Sequence, residues 1–391
     1  MDQVWVLDEL LRDETLRKKH FPISRESIFL AHAGVTALPQ AVVDEMHAEA
    51  VAGSLNAQEA ADFMRKTARA RKICADLVGG KPNEIALLGP TALGLSLVAR
   101  GIDWKEGDEV IYYQDDYPAN VYPWTDLKRL GVVPVPLKPE VLGRITPDLV
   151  SKAITSRTRL MALSSCHFLT GYRLDIAGIS ELAKKHNILF SLDGIQSLGA
   201  TEVDASGIDF ISADSHKWML GPVGAGLFYV KEERMNDLRP ALLGAWNVRS
   251  PNFIAAEEIA FEDGGRRYEP GTLYLHGIMG MVRSLELIQG ITVKAIQERL
   301  LLLRAIALEH LTRHGLTIAH ADAPPSAQCG IISIPVAGLD HKAMVERLAA
   351  EKVICSVRHD RQGNPYLRMS PHFYTTEAEL GTALTAITAS V

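Results

Sequence analysis

Between residues 84 and 230 the chain alternates short apolar runs with helix-length amphipathic stretches, and that rhythm restricts its fold more than any other feature. The strand-length runs are 84–88, 109–113, 132–137, 159–164, 188–193, 210–213 and 226–230. Helical patterns at 91–100, 120–130, 147–154 and 176–187 lie between them. Strands that read as continuous apolar runs, rather than alternating ones, are buried on both faces. The predicted class is therefore α/β, with a mostly parallel seven-stranded sheet flanked by helices in a large domain over 25–260. Helices at 39–52 and 58–78 precede the sheet, the second ending near Gly79-Gly80. Beyond about 265 the rhythm changes to a helix at 294–314, a strand at 331–336, a helix at 340–351 and strands at 353–357 and 366–369. Thr376 with Glu379 three residues on signals a capping box for a last helix. Residues 261–391 with 1–24 make a smaller α+β domain. Its N-terminal arm carries an imperfect helical stripe of Trp5, Leu7, Leu10, Leu11 and Leu16.

Ligands of an open parallel sheet gather at the carboxyl ends of its strands. Four segments end there: Asp193, Lys217, the Gly89-Pro90-Thr91 turn and the Cys166-His167 loop. Lys217 stands in SADSHKWMLGPVGAG (212–226), where closely spaced glycines let backbone approach a ligand. A lysine amine held there can form a Schiff base with the aldehyde of pyridoxal 5'-phosphate (PLP). By itself it reads far more readily as a surface lysine beside a turn, since surface lysines vastly outnumber functional ones. Asp193 would keep a pyridine nitrogen protonated, making the ring an electron sink, or would simply cap the following segment. Thr91 and Ala92, at a helix start, offer a hydroxyl and free amides to an anion. Tyr117 follows a strand and could stack on a ring or sit on a rim. It is the convergence of these segments on one sheet edge that favours the cofactor reading.

The segments DDYPANVYPW (115–124), SSCHFLTGYRLD (164–175), LDGIQSLGATEVD (192–204), SHKWMLGPVGAGLFYV (215–230), YEPGT (268–272) and LRMSPHFYTTEAEL (367–380) resemble the class V aminotransferase family of fold-type I PLP enzymes. That family includes cysteine desulfurases, selenocysteine lyases and isopenicillin N epimerase-like proteins. The resemblance runs in order along nearly the whole chain. It implies that Lys217 holds PLP and Asp193 pairs with the pyridine nitrogen. It places Gln196 and His167 near the phenolic oxygen, and Thr91, Ala92, Asp214 or Ser215, and His216 around the phosphate. Thr272 would reach the phosphate of a neighbouring subunit, which implies a homodimer with shared sites. Arg368 would hold the substrate carboxylate through its planar fork, and His32 would line the substrate mouth. Two departures stand out. Desulfurases and selenocysteine lyases commonly stack a histidine where this chain offers Tyr117. Desulfurases also need a cysteine nucleophile on a loop where 357–365 has none; Arg358 and His359 there could meet an acidic or sulfur-bearing side chain, though a solvated loop is the plainer reading. Cys355 lies before it in an apolar run.

The expected chemistry is removal of the α-proton of a small amino acid by Lys217, with a class V aminotransferase-like outcome. Epimerisation and C–S β-elimination are the alternatives, and a non-catalytic PLP- or nucleotide-binding protein is the rival from another class. Composition narrows the partners. A formal charge of −6 without basic runs argues against nucleic acid. No run of 18 apolar residues is present to span a membrane. Four isolated cysteines have neither metal-ligand spacing nor a disulfide pattern, so no metal is expected. They suit a reducing cytoplasm, as does a charged N-terminus without a signal sequence.

Overall fold

The computed structural model describes residues 7–58 and 62–389, so Trp5 of the predicted arm lies outside the described residues. In chain order the first strands are β1 (Ile28–Phe29), β2 (Ile85–Leu87), β3 (Glu109–Tyr113), β4 (Val133–Leu137), β5 (Thr158–Ser164), β6 (Leu189–Asp193), β7 (Phe210–Asp214) and β8 (Gly226–Val230). The last seven form one sheet in the order β2-β8-β7-β6-β5-β3-β4. Only β8 runs against the rest, pairing antiparallel with β2 and β7. This is the α/β sheet expected from the sequence.

The apolar runs are continuous because both faces are covered. Successive residues of one strand enter different cores: Ile111 and Met161 face one, Val110 and Leu160 the other. The first core takes Ile73 and Cys74 from the helix Phe63–Val78, and Ile179 from Ile176–His186. The second takes Leu95 and Val98 from Thr91–Gly101, with Trp124 and Tyr268. At the outer edge β4 reads VPVPL, and an edge strand is where a sheet tolerates proline, because one row of N–H groups needs no partner.

The remaining strands are β9 (Ile332–Pro335), β10 (Val353–Ile354), β11 (Ser356–His359) and β12 (Pro365–Met369). β11, β12 and β9 form an antiparallel sheet with its own core, closed by the helices Val293–Arg313, His341–Ala350 and Glu377–Thr388. The single strand expected at 353–357 is two: β10 pairs parallel with β1, and the chain then crosses at Cys355 to pair with β12. The capping box forms as its spacing predicts. Thr376 accepts from Glu379 N–H at 3.2 Å and Glu379 accepts from Thr376 N–H at 2.9 Å.

One long helix, Leu275–Ile291, escaped the sequence reading. Eleven of its seventeen residues are buried, so its apolar residues run nearly all round and give no amphipathic stripe. Gly277, Gly280 and Gly290 weaken its propensity further. It packs on the helices Gln40–Leu55 and Phe63–Val78, and burial there outweighs propensity.

Candidate active site

The carboxyl edge of the large sheet places Tyr113, Ser164, Asp193 and Asp214 at the ends of β3, β5, β6 and β7. After Asp214 the backbone folds tightly on itself. Ser215 N–H donates to Ala225 O at 2.8 Å, and Gly221 N–H to Ser215 O at 2.9 Å. A β-carbon on Gly221 would stand 2.3 Å from Ser215 Oγ, so the turn admits no side chain there. Lys217 projects from this turn and is 8% exposed.

Two oppositely shifted groups face each other at this edge. Burial pushes the Lys217 amine down to about 8, against the pull of Asp193 and with the further push of Arg368. Burial, then the nearby Asp116 carboxylate, raises the Asp193 carboxyl to about 7, opposed by the Ile195 N–H and by Lys217. Ile195 N–H donates to Asp193 Oδ1 at 3.1 Å. Tyr117 is half exposed and its ring centroid lies 5.4 Å from Lys217 Nζ. Phe168 meets it edge-on at 5.6 Å.

A second cluster joins the helix start at Thr91 to the turn after β7. Thr91 Oγ1 accepts from Asp214 N–H at 2.9 Å. Asp214 in turn accepts from His216 N–H at 3.2 Å and Gly224 N–H at 3.1 Å, and His216 Nδ1 lies 2.7 Å from its Oδ1. Gly89 is pressed against the same turn: a β-carbon there would come within 2.6 Å of the Gly224 carbonyl. The amides of Thr91 and Ala92, in the first turn of their helix, have no intrahelical acceptor. The cluster thus offers a hydroxyl, free amides and His216. Ser215 is fully buried and its hydroxyl donates to Pro222 O at 3.0 Å, so it faces away. The Asp214 carboxylate orients the turn, and its own charge opposes a bound phosphate.

His167 is buried with both ring nitrogens engaged. Nε2 donates to Asp115 O at 3.1 Å, and Nδ1 accepts from Thr170 Oγ1 at 2.8 Å. Gln196 donates to Ala33 O at 3.1 Å and accepts from Trp218 Nε1 at 2.9 Å, tying the lysine turn to the segment 31–34. Arg368 is 2% exposed, donates to Phe168 O and leaves Nε buried without a partner. Thr272 is exposed on the segment before Leu275. His32 is a correction to the sequence expectation. It is fully buried, donating from Nδ1 to Ser370 O and accepting at Nε2 from Tyr374 OH, both at 2.8 Å. It holds the fold behind the site and lines no open mouth.

Asp116 and His372 were not singled out from the sequence. Asp116 is buried and accepts from Ser164 Oγ, from Tyr117 N–H at 2.7 Å and from Asn120 Nδ2 at 3.1 Å. Its neighbour Asp115 turns outward to pair with Arg361. Nothing in the dipeptide Asp115-Asp116 distinguishes the two. His372 accepts at Nδ1 from Phe373 N–H at 2.9 Å and donates from Nε2 to Trp218 O at 3.0 Å, bracing the residue after Lys217. Burial lowers its imidazole to about 4, so it stays neutral.

This fold and edge cluster define a PLP-type α/β enzyme, and residues 28–381 match the family model for aminotransferase class-V. The chain belongs to the class-V aminotransferases, enzymes that use pyridoxal phosphate and have transferase, lyase or epimerase activities. It is 26% identical to a probable cysteine desulfurase of Methanothermobacter thermautotrophicus over 95% of this chain and 96% of that protein. It is 28% identical to isopenicillin N epimerase of Streptomyces clavuligerus over 82% of this chain and 84% of that protein. The apo structure of cysteine desulfurase from Thermococcus onnurineus NA1 superposes with a TM-score of 0.88 at 22% identity, over 100% of this chain and 99% of that one. Among the described residues no helix is long and apolar enough to cross a membrane.

Proposed function

We propose that Lys217 carries the cofactor and moves the α-proton of a small amino-acid substrate, with an aminotransferase-like outcome. The observation that carries this reading is the pairing of a buried lysine whose amine is lowered to about 8 with a buried Asp193 raised to about 7. An amine near 8 is partly neutral at physiological pH and so can act as nucleophile and base without losing much proton affinity. When bound, pyridoxal phosphate supplies a ring that accepts electrons from the substrate α-carbon. The residues fit that group: Asp193 would meet the ring nitrogen, Tyr117 would cover one face, and Thr91, Ala92 and His216 would receive the phosphate. Arg368, buried with a donor to spare, would hold the substrate carboxylate. The exposure of Thr272 suits a residue that serves a neighbouring subunit, so a homodimer with shared sites belongs to the same reading.

Persulfide chemistry is disfavoured, although desulfurases are among the relatives. The turn between β11 and β12 has no cysteine, and burial pushes the Cys355 thiol up to about 11, away from the thiolate a nucleophile needs. Epimerisation remains the second reading because the Tyr117 hydroxyl stands on a ring that faces Lys217. A panel of amino acids incubated with the holoprotein separates the outcomes. Keto acid supports transamination, the D-isomer epimerisation, and released sulfide or ammonia elimination. Lys217→Ala should abolish all of them, and turnover surviving that change would refute the reading.

A further inference from the structure

Arg358 and Arg368 converge on one point of the site. β11 and β12 pair antiparallel with Ser356 opposite Arg368 and Arg358 opposite Tyr366. Residues two apart on a strand share a face, so the two arginines are diagonal neighbours on the same side of the hairpin. Their terminal nitrogens reach the backbone of the 31–34 segment together. A β-carbon on Gly34 would lie 3.8 Å from Arg368 Nη2 and 4.0 Å from Arg358 Nη2. The same segment is held by Gln196, whose other end holds Trp218 beside Lys217.

Neither guanidinium has a carboxylate partner among the described residues. Arg358 is exposed and makes one long hydrogen bond, 3.5 Å to Val357 O. Arg368 has its single carbonyl contact and an orphaned Nε. The neighbouring Arg361 shows the contrast: it is neutralised by Asp115 and bonded to Gln114 O, which pins the tip of the hairpin. Asp360 closes that tip by accepting from Gln362 N–H at 2.9 Å and Asn364 N–H at 2.8 Å. Arg358 is thus presented from a braced strand, and its charge lies near enough to Arg368 to lower that group's proton affinity. Two like charges brought together without a counter-ion are costly unless an anion joins them.

We infer that Arg358 binds a second acidic group, at the far end of the substrate side chain, while Arg368 takes the α-carboxylate, so that the substrate is an acidic amino acid of the aspartate or glutamate type. This rests on the assignment of Lys217 as the cofactor lysine and names the substrate class for that site. Once the bound substrate covers the exposed Arg358, a charged hydrogen-bonded guanidinium–carboxylate pair is worth about tenfold to a hundredfold in affinity.

The test compares aspartate with asparagine, and glutamate with glutamine, in wild type, Arg358→Gln, Arg358→Lys and Arg368→Gln holoenzyme. The acidic member of each pair should lead in kcat/KM by at least about tenfold in wild type. Arg358→Gln should erase that ratio, chiefly through KM, and Arg358→Lys should restore part of it. Arg368→Gln should depress both members together. Calorimetry supplies a readout independent of turnover: succinate should bind at least about tenfold more tightly than butyrate at fixed ionic strength, with and without cofactor, and Arg358→Gln should equalise them. A wild type that prefers the amides, or a ratio untouched in Arg358→Gln, or equal binding of succinate and butyrate, overturns the inference. If these appear while the ~420 nm cofactor band is intact, the substrate class is wrong and the cofactor lysine stands. Loss of the band alone would instead count against Lys217, and the succinate comparison without cofactor would still decide the role of Arg358.

Discussion

Lys217 Nζ lies 5.4 Å from the centroid of the Tyr117 ring, so the aromatic face and the amine bound the same space from opposite elements. Tyr117 reaches it from the turn after β3, and Lys217 from the turn after β7. A ring placed between them would stack on Tyr117. Tyr117→Ala should weaken cofactor binding by about fivefold to tenfold, the worth of an aromatic stack, and Tyr117→Phe should retain it. Titration of the cofactor absorbance measures both. Equal affinity in the alanine variant would remove Tyr117 from the cofactor's surroundings.

The raised Asp193 carboxyl makes the cofactor-free protein sensitive to pH in a defined window. Its ordinary value is 3.8 and its folded value about 7. Between these limits the folded chain holds a proton that the unfolded chain has released, so rising pH costs stability, and above about 7 the loss is complete. Asp193→Asn has no such proton. Wild-type stability relative to that variant should therefore fall as pH rises from about 4 to about 7 and then level off, measured as urea midpoints of the apoproteins. A difference that stays flat across this window would show that Asp193 keeps an ordinary carboxyl.

Thr91 matters for the fold as well as for an anion. Its hydroxyl is the acceptor for the buried Asp214 N–H at 2.9 Å. Thr91→Val keeps the shape and orphans that donor, which should cost about 1–3 kcal/mol, whereas Thr91→Ser should cost less than half as much. Chemical denaturation of the apoproteins checks this, and the cofactor affinity of Thr91→Val should fall in parallel. Unchanged stability in Thr91→Val would mean that water replaces the hydroxyl.

Much of this site was readable because it sits on sheet edges. Asp193 ends and Lys217 follows a fully buried, mostly apolar strand, so their place at the carboxyl edge comes from topology. Other features depend on long-range contacts. His32 sits in a short FLAHAG segment, where a sequence cannot reveal that Tyr374, more than three hundred residues away, will close over it. The same limit hid the role of Asp116, since Asp115 beside it is chemically identical and only Arg361 draws one of the two outward. The helix Leu275–Ile291 lacked a clear polar stripe because eleven of its seventeen residues are buried, and periodicity is informative only where one side meets water. The join at Cys355 was hidden too, since the two strands it connects choose different partners.

The most direct test of the central claim is reduction of the cofactor-loaded protein with borohydride, followed by proteolysis and mass analysis of the peptides. The account predicts one phosphopyridoxyl adduct, on the peptide containing Lys217, with the ~420 nm band lost in the same step. An adduct on any other lysine, or none on protein that had shown the band, would contradict it.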